Sequence, residues 1–196
     1  MSELNQLLLD LNHKKSFNDH DYYVSESNYY AYNIIDKWPK WEKNILNICG
    51  EKFSGKTHLS NIFLTKNKGF KINEKEINDE VYKKFKLYEN IVIDDFNNKC
   101  DEKLMYSIFN LVDQGNKYLI INSIKPINQI SFKLKDLKSR SKNCLIAKIE
   151  NPDDELMFAI MLKTFSDRQI QIDKKLIYFI LKRIDRSYGK IADFIY

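Results

Sequence analysis

The chain has 196 residues, 43% apolar and 13% aromatic, enough to bury a core in one domain with a small appendage. No apolar run reaches the roughly 18 residues that span a bilayer, and Leu7-Leu8-Leu9 lacks the longer apolar stretch of a signal peptide. The net charge of +5 is scattered, without a basic block or groove-reading motif, which argues against sequence-specific DNA binding; Cys49, Cys100 and Cys144 form no metal-ligand pair and fit a reducing cytoplasm.

In chain order, residues 1–15 read as an extended arm. Residues 25–37 have helical periodicity, with Tyr29, Tyr32, Ile34 and Ile35 on the apolar side. Residues 45–49 read as a buried strand, and Leu59, Ile62 and Phe63 recur at helical spacing over 57–66. Between them lies Gly50-Glu51-Lys52-Phe53-Ser54-Gly55-Lys56-Thr57, a complete G-x-x-x-x-G-K-T loop in its required strand–loop–helix setting. The charged stretch 70–90 shows only a short helical patch around Val81 and Phe85. Residues 91–95, Ile-Val-Ile-Asp-Asp, predict a buried strand ending in two carboxylates. A helix follows near 101–114, with Leu104, Ile108, Leu111 and Val112 at helical spacing and Gly115 at its stop. Further strands are predicted at 118–123 and 144–149.

Beyond them, Asn151-Pro152-Asp153-Asp154-Glu155 predicts a helix start, with Asn151 as the cap, Pro at the first position and acids against the dipole. That helix runs through Phe165. Asp173 caps the next, which is expected to bury Leu176, Ile177, Ile180, Leu181 and Ile184, and Gly189 interrupts before a last segment at 190–196. The fold class expected is α/β: a P-loop NTPase parallel sheet flanked by helices over 16–150, then a short helical subdomain over 151–196.

The chemistry concentrates at two strand ends. The loop's backbone N–H groups and the following helix N-terminus offer positive potential to a β-phosphate, so Gly50, Ser54, Gly55, Lys56, Thr57 and His58 are the expected nucleotide-binding residues. Lys56 reaches the β/γ oxygens, while the glycines let the backbone wrap an anion where a Cβ would collide. Asp94 and Asp95 end a strand at the edge where open α/β sheets bind ligands. Asp94 is expected to hold Mg²⁺ together with Thr57, and Asp95 to orient or deprotonate an attacking water. This constellation predicts a protein that binds a nucleoside di- or triphosphate with Mg²⁺.

Taken in order, these residues resemble the AAA+ domain of the bacterial replication initiator DnaA and its short relatives of the Hda type. Gln6-Leu7-Leu8-Leu9-Asp10-Leu11 is similar to the clamp-binding motif at the N-terminus of Hda proteins. Phe17 and Tyr23-Val24-Ser25-Glu26-Ser27-Asn28 resemble the segment lining the adenine pocket, and Trp38-Pro39-x-Trp41 is similar to the alphaproteobacterial Hda-like branch. Leu137-Lys138-Ser139-Arg140 resembles the arginine-finger motif. The resemblance implies that Tyr23 and Val24 meet the adenine and that Asn122 or Ser123 is the sensor positioning the attacking water. It implies that Arg140 stabilises charge on a neighbouring subunit's γ-phosphate. In the arm, Gln6 would bond a pocket rim while Leu9 and Leu11 insert as anchors, with Leu7 and Asp10 in the same motif.

Three departures from the initiator stand out. With the sequence ending at Tyr196, a full initiator with its helix-turn-helix domain is not expected, and the stretch between Lys68 and Ile91 leaves little room for the initiator's single-strand-binding insert. The lid's sensor arginine falls near Gly189 or Lys190, and a lysine is not an equivalent fork. The resemblance therefore implies a cytoplasmic AAA+ regulator, bound to ADP or ATP with Mg²⁺. Its arm docks on the DNA polymerase III sliding clamp, meeting DNA only through the clamp, and Arg140 stimulates ATP hydrolysis by DnaA. The alternatives are a self-contained DnaA-like ATPase acting as a homo-oligomer, and a clamp-associated replication adaptor.

Overall fold

Runs of β-branched residues with apolar side chains on both faces build the centre of the fold, as a helix-covered parallel sheet requires. The computed structural model describes residues 22–195; the expected arm with Gln6, Leu7, Leu9, Asp10 and Leu11, and Phe17 beyond it, lie outside the described residues. Among these residues, β1 (Ile45–Cys49), β2 (Gly69–Asn73), β3 (Asn90–Phe96), β4 (Tyr118–Ser123) and β5 (Leu145–Lys148) pair in parallel in the order β2-β3-β4-β1-β5.

Alternation along each strand divides the core between the two faces. Ile45, Ile91, Ile93, Leu119 and Ile121 pack with α3 (Asp79–Phe85), α4 (Glu102–Gln114) and α5 (Lys135–Ser141) through Phe85, Met105, Ile108, Phe109 and Leu137. Leu46, Ile48, Val92, Ile120 and Ala147 pack on the other face with α1 (Tyr29–Asp36) and α2 (Lys56–Lys66) through Ile34, Leu59 and Phe63. Each fully buried Ile, Leu or Phe contributes about 1.5–3 kcal/mol. The aromatic pair Trp38 and Trp41 closes this face, both rings lying against Phe63 and Tyr118. The helices α6 (Asp154–Asp167), α7 (Lys174–Leu181) and α8 (Tyr188–Ile195) gather a cluster of their own around Met157, Met161, Ile177, Ile191 and Ile195. No helix among the described residues is long and apolar enough to cross a membrane.

Several local expectations need correction. β2 was expected as charged, largely irregular chain; it is an edge strand that buries only Ile72, so its sequence carries no strand-like apolar run. Residues 25–28 form a turn rather than helix, because Asn28 Oδ1 accepts from Ser25 N and its Nδ2 donates to the Tyr23 carbonyl. Tyr29 is exposed, and Ala31 takes the buried place with Ile34 and Ile35. The α6 cap is Asp153, which accepts from Leu156 N at 2.7 Å, not Asn151. In α7, Ile177 is buried but Leu176 faces out. Gly189 lies inside α8 and does not interrupt it.

Candidate functional site at the C-terminal edge of the sheet

The loop between β1 and α2 emerges between β4 and the edge strand β5, with the end of β4 on one side and β3 one strand further. Its shape depends on its glycines. A Cβ on Gly50 would lie 2.9 Å from the Ile149 carbonyl oxygen, and Gly55 has a φ of 87° at the mouth of α2. Lys56 folds back over the loop: its ammonium donates to the carbonyls of Gly50 (2.9 Å) and Glu51 (2.6 Å) and to Ser54 Oγ (3.3 Å). Burial pushes the Lys56 pKa below its ordinary value, opposed by the attraction of Asp94 and Asp95.

A buried polar cluster continues from Thr57. Its hydroxyl donates to Asp94 Oδ1 (3.1 Å), and Asn122 Nδ2 donates to the same oxygen (3.0 Å) and to Ser60 Oγ (2.7 Å). Lys71, from β2, donates to Asp94 Oδ2 at 2.9 Å. Burial alone would raise the Asp94 pKa, but the bonds from Lys71, Asn122 and Thr57 hold it below the usual carboxylate value. Asp95 points the opposite way. With φ at 55° and a register break between Ile93 and Phe96, its carboxylate turns outward and accepts from Asn73 Nδ2 at 2.9 Å.

Of the two sensor alternatives, Asn122 joins Asp94. Ser123 instead accepts from Asn47 and donates to the Lys125 carbonyl, fixing the chain after β4. Tyr23 and Val24 are exposed, and the residue against the loop is Tyr22. Its ring stands edge-on to His58 at 5.3 Å, and its buried hydroxyl has no hydrogen-bond partner among the described residues. Burial raises the Tyr22 pKa, so the phenol stays protonated and is a donor facing the loop.

Arg140 is elsewhere. It closes α5, pairs with Asp113 of α4, and lies over the Tyr106 ring at 5.4 Å. It lines a recess with Glu42, Lys43, Asn44, Ile45 and Asn143, where β1 begins rather than where it ends.

No protein-family model matches the chain. It is 28% identical over 211 aligned residues to the chromosomal replication initiator protein DnaA of Caldanaerobacter subterraneus subsp. tengcongensis, covering 94% of this chain and 47% of that protein. It is 33% identical to DnaA of Nitrosomonas europaea over 165 residues, 72% of this chain and 36% of that one. The chain therefore spans less than half the length of either relative. Among solved structures, domain III of Thermotoga maritima DnaA superposes with a TM-score of 0.71 at 20% identity, covering 90% of this chain and 85% of that one. The chain is a DnaA-like AAA+ protein. DnaA bound to AMPPCP and single-stranded DNA has the same fold, with a TM-score of 0.72 at 20% identity over 95% of this chain and 65% of that one.

Within this DnaA-like fold, one contact has no counterpart in the sequence reading. Glu51, inside the loop, accepts from Ser187 Oγ (2.5 Å), Tyr188 N (2.9 Å) and Gly189 N (3.2 Å), so its carboxylate caps α8. The head of α8 meets the loop through these groups, and Lys190 is exposed. Residues 51 and 187–189 share no local pattern, so nothing contiguous in the sequence announced the contact. Lys71 was missed with β2. Asn47 was hidden in an apolar strand, where it donates to the Ile121 carbonyl and accepts from Ile127 N.

Proposed function

We propose that this chain binds ADP or ATP at the β1–α2 loop and acts in trans on the ATPase site of DnaA, as a regulator of replication initiation. The observation that carries the reading is a separation. Lys56, Thr57, Asp94 and Asn122 converge at the C-terminal edge of the sheet, whereas Arg140 flanks the N-terminal edge. A five-residue strand such as β1 spans about 16 Å. A guanidinium at that distance does not serve its own loop, which supports a role on another subunit's phosphate.

The loop's chemistry follows from its geometry. Backbone N–H groups and the α2 N-terminus bind the β-phosphate, and Lys56 exchanges its carbonyl partners for phosphate oxygens. Thr57 Oγ1 and Asp94 Oδ1 lie 3.1 Å apart, an oxygen pair of the kind that holds Mg²⁺ with substrate phosphates. Thr57 and Asp94 would hold Mg²⁺, which would supply Lewis-acid charge to the phosphates. Asn122 fixes the Asp94 carboxylate, and Asp95, facing outward, would accept a proton from water. Tyr22 and His58 would wall the nucleoside side.

Recruitment rests on the resemblance of residues 6–11 to a clamp motif. An arm holding the DNA polymerase III sliding clamp would raise the local concentration of a weak DnaA contact. The test is phosphate release from DnaA-ATP, with and without this protein and clamp-loaded DNA. Stimulation that needs all three components is expected, and an arginine supplied in trans accelerates hydrolysis by about 10³–10⁵. An unchanged rate removes the regulator reading. The meeting of Thr57 of the loop with Asp94 and Asn122 favours a second reading, a homo-oligomeric ATPase, which predicts phosphate release by this protein alone.

A further inference from the structure

The metal side of the site carries a cation of its own. Lys71 stands on the edge strand β2, on the face covered by α2, and its ammonium is gripped from two elements: 2.9 Å from Asp94 Oδ2 on β3 and 2.9 Å from Asn61 Oδ1 on α2. The pair is largely out of water, with side chains 27% and 9% exposed. Both oxygens of Asp94 are engaged, Oδ1 by Thr57, Asn122 and the Asp95 N–H, and Oδ2 by Lys71. Asp95, the other carboxylate at this strand end, faces away toward Asn73. A divalent cation arriving at Asp94 must displace a charge-assisted hydrogen bond or sit beside an unscreened ammonium, and in this low-dielectric setting like charges repel strongly.

We propose that Lys71 is a tethered counter-cation that neutralises Asp94, so that this chain holds a nucleoside diphosphate with little help from Mg²⁺. With Asp94 neutralised by Lys71, Lys56 on the loop is left as the cation that meets the phosphates. The inference rests on the nucleotide-binding reading above and specifies its metal dependence.

The experiment is calorimetric titration of ADP into the full chain, in EDTA and in millimolar Mg²⁺, for wild type, Lys71→Met and Lys71→Gln. Wild-type affinity should change by less than about threefold when Mg²⁺ is added, while both variants should bind more weakly in EDTA and regain about tenfold or more with Mg²⁺. Lys71→Gln keeps a hydrogen-bond donor without the charge, so matching behaviour of the two variants assigns the effect to charge. Mn²⁺ titration followed by electron paramagnetic resonance, without nucleotide, should show stronger binding to Lys71→Gln than to wild type. A wild type that itself gains tenfold from Mg²⁺ overturns the proposal whether or not the variants fold. So do variants that stay indifferent to Mg²⁺. Absence of ADP binding in every condition overturns the nucleotide reading and this inference with it.

Discussion

Lys56 illustrates how one side chain joins loop shape to ligand chemistry. Its ammonium is collared by two carbonyls and a hydroxyl of its own loop, which ties the G-K-T segment back to the loop's start. Those neutral acceptors are weaker partners than phosphate, so a ligand gains charge-assisted bonds at modest cost. Lys56→Ala should weaken ADP and ATP alike by about 1.5–3 kcal/mol, read by calorimetry, and equal affinity to wild type would mean that the loop is not a phosphate site. The pH dependence has a definite sign. Burial lowers the Lys56 pKa from 10.5, and only the protonated form pairs with phosphate. Affinity should therefore fall on the alkaline side at a lower pH than an ordinary lysine would give, and Lys56→Arg should abolish that fall because a guanidinium stays charged. Asp95 shows a second residue-scale device, a left-handed backbone at φ 55° that only Gly, Asn and Asp adopt readily. The turn sends Asp94 inward and Asp95 outward from adjacent positions on one strand.

At the scale of elements, Glu51 ties the phosphate-type loop to the lid. Two backbone N–H groups of the first turn of α8 and the Ser187 hydroxyl end on one carboxylate, which also lies favourably at the helix's positive end. A Cβ on Gly189 would come within 2.9 Å of Glu51 Oε1, so a larger residue there would make the carboxylate shift. Glu51→Ala leaves those donors without their acceptor, at a cost of about 1–3 kcal/mol for buried groups. Hydrogen exchange should rise across 188–195 while β3 and β4 stay protected; unchanged protection of α8 would show that hydrophobic packing alone seats it. The contrast between elements explains what was legible in the sequence. β1, β3 and β4 are buried along nearly their whole length, and with the edge strand β5 their apolar runs gave their positions to within a residue or so. β2 was invisible because its residues do polar work: Lys71 serves Asp94 and Asn73 serves Asp95. The loop and its carboxylates were readable as motifs of contiguous residues. The Glu51–α8 contact and the exchange of Tyr22 for Tyr23 and Val24 were not, because they depend on how distant or extended segments lie in space.

Across the whole molecule, the sheet sets the loop and Arg140 at opposite ends of its strands, and this makes their mutational signatures separable. Arg140 pairs with Asp113 and covers Tyr106, but its side chain is 35% exposed and that of Asp113 46%, the regime in which ion pairs add roughly 0–1 kcal/mol. Arg140→Ala should thus shift thermal stability little and leave ADP affinity at the wild-type value, because among the described residues its side chain bonds to Asp113 and not to the loop or the Asp94 cluster. If the guanidinium works on a neighbouring γ-phosphate, the same variant should lose stimulation of DnaA-ATP hydrolysis by about 10³-fold or more. Arg140→Lys should fail nearly as badly, since an ammonium keeps the charge but loses the planar two-point contact with a transferring phosphoryl group. Should the homo-oligomeric reading hold, both variants lose this protein's own phosphate release instead, and adding DnaA changes nothing. A variant that folds, binds ADP and stimulates DnaA at the wild-type rate would reduce Arg140 to a clasp between α4 and α5, and would remove the chemical step from the regulator reading.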